Sequence, residues 1–331
     1  MSSRGSRSSE RRALDRPGRT ASATPPIVRP ILKWAGGKRQ LLPELRPYYP
    51  PAFTRYIEPF VGSGAVFLDL HNTGLLAGRD VCLSDINADV IGCYRTVRDA
   101  ADAVIDELTR LDAGHRSAGR AHFYEVRDER FNPQRRAIQA EASPADHYTP
   151  ALAAMLIYLN RTGYNGLFRV NSQGEFNVPA GRQSSVRICD PDNLRHVAAA
   201  LGRPGVTIEV RQFHEALCAA RSGDFVYLDP PYAPVSRTAC FTSYTVSRFG
   251  AEEQAVLQRA VIDLASRGAY VLLSNSVAPD IGELYGENPA ARGAGLKTRT
   301  VAARRAINSR ASERGAVLEY LITNVQTKAR L

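Results

Sequence analysis

Apolar runs of strand length alternate with helix-like patterns near both ends of the chain. Residues 54–70 show a strand, a glycine loop and a helix in that order, and residues 80–97 show a strand followed by a helix. Beyond residue 190 the pattern predicts helices over 191–201 and 250–267, strands over 206–210, 225–229 and 269–274, a basic loop, and a strand near 316–323. Strands that alternate with helices are typical of a parallel sheet, so the pattern predicts an α/β fold.

The middle of the chain, residues 96–187, has a different pattern. Helical periods recur at 100–111, 120–131 and 149–160, with little strand character between them. Residues 162–182 then contain two short strand-like runs around Ser-Gln-Gly, which predicts a β-hairpin. We therefore expect a sheet domain made of residues 27–95 and 188–331, interrupted by a mainly helical insertion at 96–187 that carries the hairpin.

Composition and charge point to a polyanionic partner. The 331 residues are 44% hydrophobic and carry a net charge of +10, and no apolar run approaches the length of a membrane span. Residues 1–26 are rich in Ser and Arg without any hydrophobic period, which predicts a disordered basic tail. The five cysteines are scattered without C-x-x-C spacing. We therefore expect neither a zinc site nor a disulfide framework, and we expect a reduced, cytoplasmic compartment.

The buried strand at 225–228 ends in the sequence Asp229-Pro230-Pro231-Tyr232. Prolines lack a backbone N–H and fix φ, so they end a strand and hold the Pro230 carbonyl rigidly beside the Asp229 carboxylate. These two acceptors could hold one amine, and the Tyr232 ring could lie flat against a base. The sequence therefore predicts a pocket for an amino group on a planar heterocycle, although an acid before two prolines also suits an ordinary turn.

A second set of residues points to an adenosine-containing cofactor. Gly62 and Gly64 lie in a loop between a strand and a helix, and Asp85 ends the next strand, 23 residues after Gly62. This is close to the spacing at which an acid binds ribose hydroxyls, but the loop lacks the third glycine of a dinucleotide site. Trp34 could cover an adenine or a sulfonium centre, and Lys38 could meet a carboxylate. A close-packed turn, a buried anchor Trp and solvated lysines remain the simpler alternative.

Together these stretches resemble the Dam-type, D12-class DNA N6-adenine methyltransferases of the α arrangement. The resemblance follows the chain order over most of residues 31–325: LKWAGGK, YIEPFVGSGAVF, SDIN, LNRTGYNGLFRVNSQGEFNVPAGR, YLDPPYAP followed by FTSYT, LLSNS, and the basic AARRAINSRASERGAVLEYLITN. The resemblance implies a Rossmann-like sheet that binds S-adenosylmethionine, with an inserted DNA-recognition domain, and it requires no metal. It implies transfer of a methyl group to N6 of an adenine flipped out of duplex DNA.

The resemblance also implies a role for each candidate residue. The cofactor-binding set is Trp34, Lys38, Gly62, Gly64, Asp85 and Asp229. The catalytic set is Asp229, the Pro230 carbonyl and Tyr232. The DNA-binding set is Lys33, Asn165, Arg169, Asn177 and Arg182, with Arg169 foremost because Arg and Asn read base edges in the major groove.

Several alternatives stay open at the level of sequence. The same chemistry could act on N6 of RNA adenine or N4 of cytosine, and a catalytically silent DNA-binding relative would share many of these residues. GATC is the target that the resemblance suggests, but Gln183, Ser184 and Ser185 stand where many family members have an aromatic residue and a lysine. The oligomeric state and the presence of a cognate restriction endonuclease are also open.

Overall fold

A computed structural model describes most of the chain. The described residues are 26–34, 36–182, 186–233, 249–304 and 316–327. Outside them lie nearly all of the predicted basic tail (1–25), positions 183–185, the segment 234–248 that contains FTSYT, and the basic segment 305–315. No helix in the described ranges is both long enough and apolar enough to cross a membrane.

The described residues form seven strands and eleven α-helices, together with short 3-10 and π-helical segments. The strands are β1 (Arg55–Glu58), β2 (Asp80–Asp85), β3 (Val206–Val210), β4 (Phe225–Leu228), β5 (Tyr270–Ser276), β6 (Lys297–Arg304) and β7 (Ala316–Thr323). The helices are α1 (Leu42–Leu45), α2 (Ala65–Asn72), α3 (Ala88–Ala118), α4 (Arg120–Tyr124), α5 (Asn132–Gln139), α6 (Pro150–Thr162), α7 (Pro191–Leu201), α8 (Phe213–Cys218), α9 (Ala251–Ser266), α10 (Pro279–Ile281) and α11 (Pro289–Gly293).

The strand order places a crevice between β1 and β4. The seven strands form one sheet in the order β3-β2-β1-β4-β5-β7-β6. β1 to β5 are parallel, and β7 runs antiparallel to both β5 and β6. The chain moves outward from β1 to β3 and then returns to β4 on the other side of β1. Ligands of such sheets bind at the carboxyl ends of the strands where the order reverses. The α/β, Rossmann-like fold that the sequence predicted is confirmed.

β4 shows why the sequence FVYL forms a strand. All four residues are buried. Phe225 and Tyr227 pack into one core, and Val226 and Leu228 pack into the core on the other face of the sheet. A strand that is covered on both faces needs an uninterrupted apolar run, because successive side chains point to opposite faces. The strand therefore ends where the apolar run ends, directly before Asp229.

One strand in the last part of the chain was not predicted. The edge strand β6 pairs along its length with β7, from Lys297 opposite Thr323 onward, and the basic segment 305–315 that follows it lies outside the described residues. Lys297 and Arg299 are exposed, as is usual on an edge strand, where charge discourages pairing with another chain. An edge strand needs fewer apolar residues than an inner one. Because charged residues interrupt the apolar pattern of β6, the sequence did not indicate a strand there.

The predicted boundary between residues 95 and 96 falls inside α3. This helix runs from Ala88 to Ala118, with one non-helical residue at Ala100. The same continuous core contains Tyr56 from the sheet and both Tyr158 and Phe176 from the middle segment. The inserted recognition domain therefore remains a prediction, because its residues share packing with the sheet.

Candidate active site

The glycine loop after β1 lies at the carboxyl edge of the sheet. Gly62 and Gly64 have φ angles of 44° and 63°, a left-handed conformation that favours glycine. The Val61 N–H donates a hydrogen bond to the Ser84 carbonyl at 3.0 Å, which ties the loop to the end of β2. Gly64 is the N-cap of α2, so the loop leads directly into that helix.

Asp85, Trp34 and Gly62 meet in one place. The Asp85 carboxylate accepts the backbone N–H of Gly62 at 3.1 Å and that of Asn87 at 3.0 Å. A Cβ atom added at Gly62 would lie 2.7 Å from Cδ1 of Trp34, so the indole rests against the bare backbone. Burial raises the pKa of the Asp85 carboxyl, and the N–H donors oppose that shift. Each carboxylate oxygen accepts more than one hydrogen bond, so Asp85 can still bind hydroxyl groups.

Lys38, a predicted cofactor-binding residue, lies beside Asp229-Pro230-Pro231-Tyr232, which we call the DPPY sequence. Its Nζ lies 2.8 Å from Oδ1 of Asp229, and its side chain is only 3% exposed, against 21% for Asp229. The same ammonium lies 4.7 Å from the centre of the Tyr232 ring, over the ring face, and donates a hydrogen bond to the Gly36 carbonyl. A nitrogen with N–H donors is therefore held between the carboxylate and the aromatic ring.

The ionisation of Asp229 depends on its neighbours. Burial raises the pKa of this carboxyl to about 6, the positive charge and hydrogen bond of Lys38 oppose the rise, and the negative charge of Glu319 adds to it. At neutral pH the carboxylate form predominates, so Asp229 acts as a hydrogen-bond acceptor. Because this pKa lies close to neutral pH, a change in the surroundings of Asp229 can change its protonation state.

The backbone around the DPPY sequence is held by α9 and β5. The Gln254 side-chain amide donates to the Pro231 carbonyl at 3.1 Å, and the Ser276 hydroxyl donates to the Ala233 carbonyl at 2.7 Å. Asn275 donates to Gln254 at 3.1 Å and accepts from the Ala233 N–H at 3.4 Å. Pro230 itself is buried. These polar residues had no predicted role, although the LLSNS motif contains Asn275 and Ser276.

Two buried acids beside this cleft also lacked a predicted role. Oε2 of Glu58, at the end of β1, accepts the Tyr56 hydroxyl at 2.8 Å and the Phe67 N–H at 3.2 Å. Burial, with a contribution from Asp229, raises the pKa of Glu58 to about 8, so this carboxyl is mostly neutral at pH 7. Glu319, on β7, accepts the Tyr232 hydroxyl at 2.6 Å. The only sequence signal for either was an acid next to the apolar residues of a strand.

The predicted hairpin carries four of the five DNA-binding candidates. Isolated antiparallel bridges join Gly163 to Ala180 and Val170 to Phe176. Arg169 and Asn177 lie opposite each other: Nε of Arg169 donates to Oδ1 of Asn177 at 2.8 Å, and the Asn177 N–H donates to the Arg169 carbonyl at 3.1 Å. Three of the four side chains are exposed, namely Asn165, Arg169 and Arg182. Asn165 is also the one non-glycine residue with a positive φ, 56°, among the described residues.

The remaining candidate, Lys33, lies against the hairpin. Its backbone N–H and carbonyl both bond to the Asn160 side chain at 2.7 Å, and a Cβ atom added at Gly166 would lie 2.5 Å from Cβ of Lys33. The Trp34 ring stacks on Phe168 with 5.7 Å between ring centres and 25° between planes. The DNA-binding candidates and the cofactor candidates therefore form adjoining parts of one surface.

Comparison with known proteins identifies the family. The model of the D12 class of N6 adenine-specific DNA methyltransferases matches residues 34–301, which include the glycine loop, the hairpin and the DPPY sequence. The chain belongs to this family. A D12-class enzyme transfers a methyl group to N6 of adenine in DNA, so the family match supports DNA adenine methylation by this chain over the alternatives of RNA and cytosine.

Curated relatives of this D12-class enzyme cover nearly the whole chain. The type II methyltransferase M.MjaIII of Methanocaldococcus jannaschii is 37% identical over 90% of this chain and 99% of its own length. The type II methyltransferase M1.LlaDCHI of Lactococcus lactis subsp. cremoris is 34% identical over 90% of this chain and 95% of its own length. The DNA adenine methylase of Escherichia coli K12 is 34% identical over 88% of this chain and 94% of its own length. S-adenosylmethionine is in general the methyl donor of such enzymes.

Gly62→Ala should weaken binding of S-adenosylmethionine by about tenfold or more, because the new Cβ would force the Trp34 indole away from the loop. Isothermal titration calorimetry with the free enzyme measures this loss. Gly74→Ala is the matched control: Gly74 also has a positive φ, 74°, but no atom lies within 4 Å of its new Cβ. Equal losses in both variants would show that backbone strain, not the contact with Trp34, is responsible.

Proposed function

We propose that this D12-class enzyme binds S-adenosylmethionine and a flipped-out adenine side by side in the cleft between β1 and β4. The observation that carries the proposal is the position of the Lys38 ammonium, 2.8 Å from Asp229 and 4.7 Å from the centre of the Tyr232 ring. A planar base that donates from an amino group to Asp229 and stacks on Tyr232 would occupy the same place. Lys38 has a flexible side chain, so it can withdraw toward the carboxylate of the cofactor.

The cofactor side of the cleft fits an adenosine group. The left-handed backbone at Gly62 and Gly64 leaves room for close approach, the Asp85 carboxylate accepts hydroxyl groups, and the Trp34 indole offers a face for stacking or for a cation. Bound S-adenosylmethionine supplies an electrophilic methyl group. The protein residues bind and orient it, with Lys38 at its carboxylate.

The DPPY sequence prepares the amine for attack. In the free base the nitrogen lone pair is conjugated with the ring, which makes it a poor nucleophile. The Asp229 carboxylate and the Pro230 carbonyl accept the two N–H groups, and in this position they favour the positive charge that develops on nitrogen. Tyr232 stacks on the flipped ring and holds the amine in line with the methyl group.

DNA recognition is assigned to the hairpin and Lys33. Arg169 is the leading base-reading residue, because its exposed guanidinium is oriented by Asn177 on the opposite strand of the hairpin. Asn165, Asn177, Arg182 and Lys33 complete the surface with base or phosphate contacts. We propose a short adenine-containing target and take GATC as the first sequence to test, on the basis of the Dam-type resemblance.

Asp229→Asn should lower methyl transfer by about 100- to 1000-fold, because it removes the negative charge that stabilises the developing positive charge. The wild-type enzyme and the variant are each incubated with labelled S-adenosylmethionine and unmethylated genomic DNA. Nucleoside analysis then gives the rate of transfer, and mapping of the modified sites gives the target. We expect N6-methyladenine at one short sequence. DNA binding by the variant should stay near wild type, and normal turnover would contradict the assignment of Asp229.

The rate of methyl transfer should fall as the pH drops through about 6, since the pKa of Asp229 is about 6 and the protonated carboxyl no longer accepts the amine. Below that pH kcat/KM, which reports the free enzyme with Lys38 beside Asp229, should decrease about tenfold per pH unit. Binding of DNA and cofactor is measured at each pH to separate weak binding from slow transfer. A flat profile down to about pH 5 would exclude Asp229 as the titrating acceptor.

Arg169→Ala should blur the sequence preference, because loss of a bidentate base contact costs about 1–3 kcal/mol of discrimination. The ratio of kcat/KM for the mapped target to that for sites with one changed base pair measures the loss. Arg110→Ala is the matched control, because this substitution removes the same positive charge. Arg110 is an exposed arginine of α3 that pairs with Glu107. Unchanged discrimination in Arg169→Ala would refute its reading role.

A further inference from the structure

Glu319 is a charged residue on an inner strand of the sheet. β7 lies between β5 and β6, and the register places Glu319 between Ser276 and Val301. Ser276 is the last residue of β5, so Glu319 lies at the same edge of the sheet as the DPPY sequence. Glu319 is 7% exposed, and buried carboxylates are costly unless a partner compensates for the lost water.

The compensating partner is the Tyr232 hydroxyl. It donates to Oε2 of Glu319 at 2.6 Å, which is within the range of charge-assisted hydrogen bonds between a hydroxyl and a carboxylate. The bond joins residues that lie 87 positions apart in the sequence. It therefore fixes the far end of the tyrosine ring to a strand that contributes no other predicted site residue.

We propose that Glu319 is a positioning residue for methyl transfer, which holds the Tyr232 ring at the angle needed to stack on the flipped adenine. The inference rests on the proposed stacking role of Tyr232. Backbone contacts from Gln254 and Ser276 fix the loop on either side of this residue, but they leave rotation of its side chain free. A hydrogen bond at the hydroxyl removes that freedom, because it fixes the ring at the end farthest from the backbone.

The geometry at the ring supports this role. The Lys38 ammonium lies over a face of the Tyr232 ring at 4.7 Å, while the hydroxyl is bound at the edge. The bond to Glu319 therefore leaves a face of the ring accessible to a partner. When a base replaces the ammonium, the ring is already oriented, so less side-chain entropy is lost on binding.

Glu319 also acts on Asp229 through its charge. The described residues around Asp229 that are charged or titratable are Lys38, Glu58, Tyr227, Tyr232 and Glu319. The negative charge of Glu319 favours the protonated form of Asp229. Removing that charge should move the acid side of the pH–rate profile to lower pH, which a purely structural residue would not do.

The test compares Glu319→Gln, Tyr232→Phe and the double variant. Tyr232→Phe removes the bond outright, so kcat/KM should fall about 10- to 100-fold. Glu319→Gln removes only the charge, because its carboxamide oxygen can still accept the hydroxyl, so its loss should be smaller. The double variant should be no slower than Tyr232→Phe. Tyr285→Phe is the matched control, because it deletes a buried hydroxyl that has no hydrogen-bond partner among the described residues. Its rate should stay at the wild-type value.

The pH profile distinguishes the two single variants. Glu319→Gln should shift the acid limb to lower pH, whereas Tyr232→Phe retains the Glu319 charge and should leave the limb in place or shift it upward. Wild-type rates in both single variants, or a multiplicative loss in the double variant, would overturn the inference. Tyr232→Ala separates the two hypotheses. A slow Tyr232→Ala beside normal Tyr232→Phe and Glu319→Gln refutes only the positioning role, and a normal Tyr232→Ala refutes the stacking role itself.

Discussion

The parallel pairing of β1 with β4 is the constraint on which the site depends. Tyr56 lies beside Phe225 and Ile57 beside Val226, although the two strands are widely separated in the chain. Adjacent strands lie about 5 Å apart, so whatever follows them emerges at neighbouring points on one edge. One strand is followed by the glycine loop and the other by the DPPY sequence. The cleft exists because burial on both faces fixes the register of β4.

A carboxyl group lies at the end of β1 (Glu58), at the end of β2 (Asp85) and directly after β4 (Asp229), and each group is accommodated differently. Glu58 is mostly protonated, Asp85 accepts two backbone N–H groups, and Asp229 pairs with Lys38. Three unpaired carboxylates in this space would repel one another. The result is a cleft in which Asp85 and Asp229 still offer acceptor oxygens, in a chain of net charge +10. Such a cleft suits a cationic methyl donor beside a polyanionic substrate.

The sequence predicted those parts of the molecule that local pattern determines. The run at 225–228, the glycine turn and the spacing of Asp85 each follow from backbone chemistry within a short segment. β6 escaped prediction because the charges of Lys297 and Arg299 obscured an edge strand. Glu58 and Glu319 escaped because their importance depends on partners in space: the bond between Glu319 and Tyr232 has no trace in the local pattern of either strand.

The hairpin is joined to the cleft by contacts that local sequence could not reveal. Phe168 stacks on Trp34, and Arg135 bonds both to Asp89 at the start of α3 and to the Gly174 carbonyl in the hairpin turn. Aromatic stacking and a buried ion pair resist small displacements, because interiors pack too closely to deform freely. If the hairpin reads DNA as proposed, the target base reaches Asp229 at a distance set by these contacts. Sequence recognition and the chemical step then share one rigid framework.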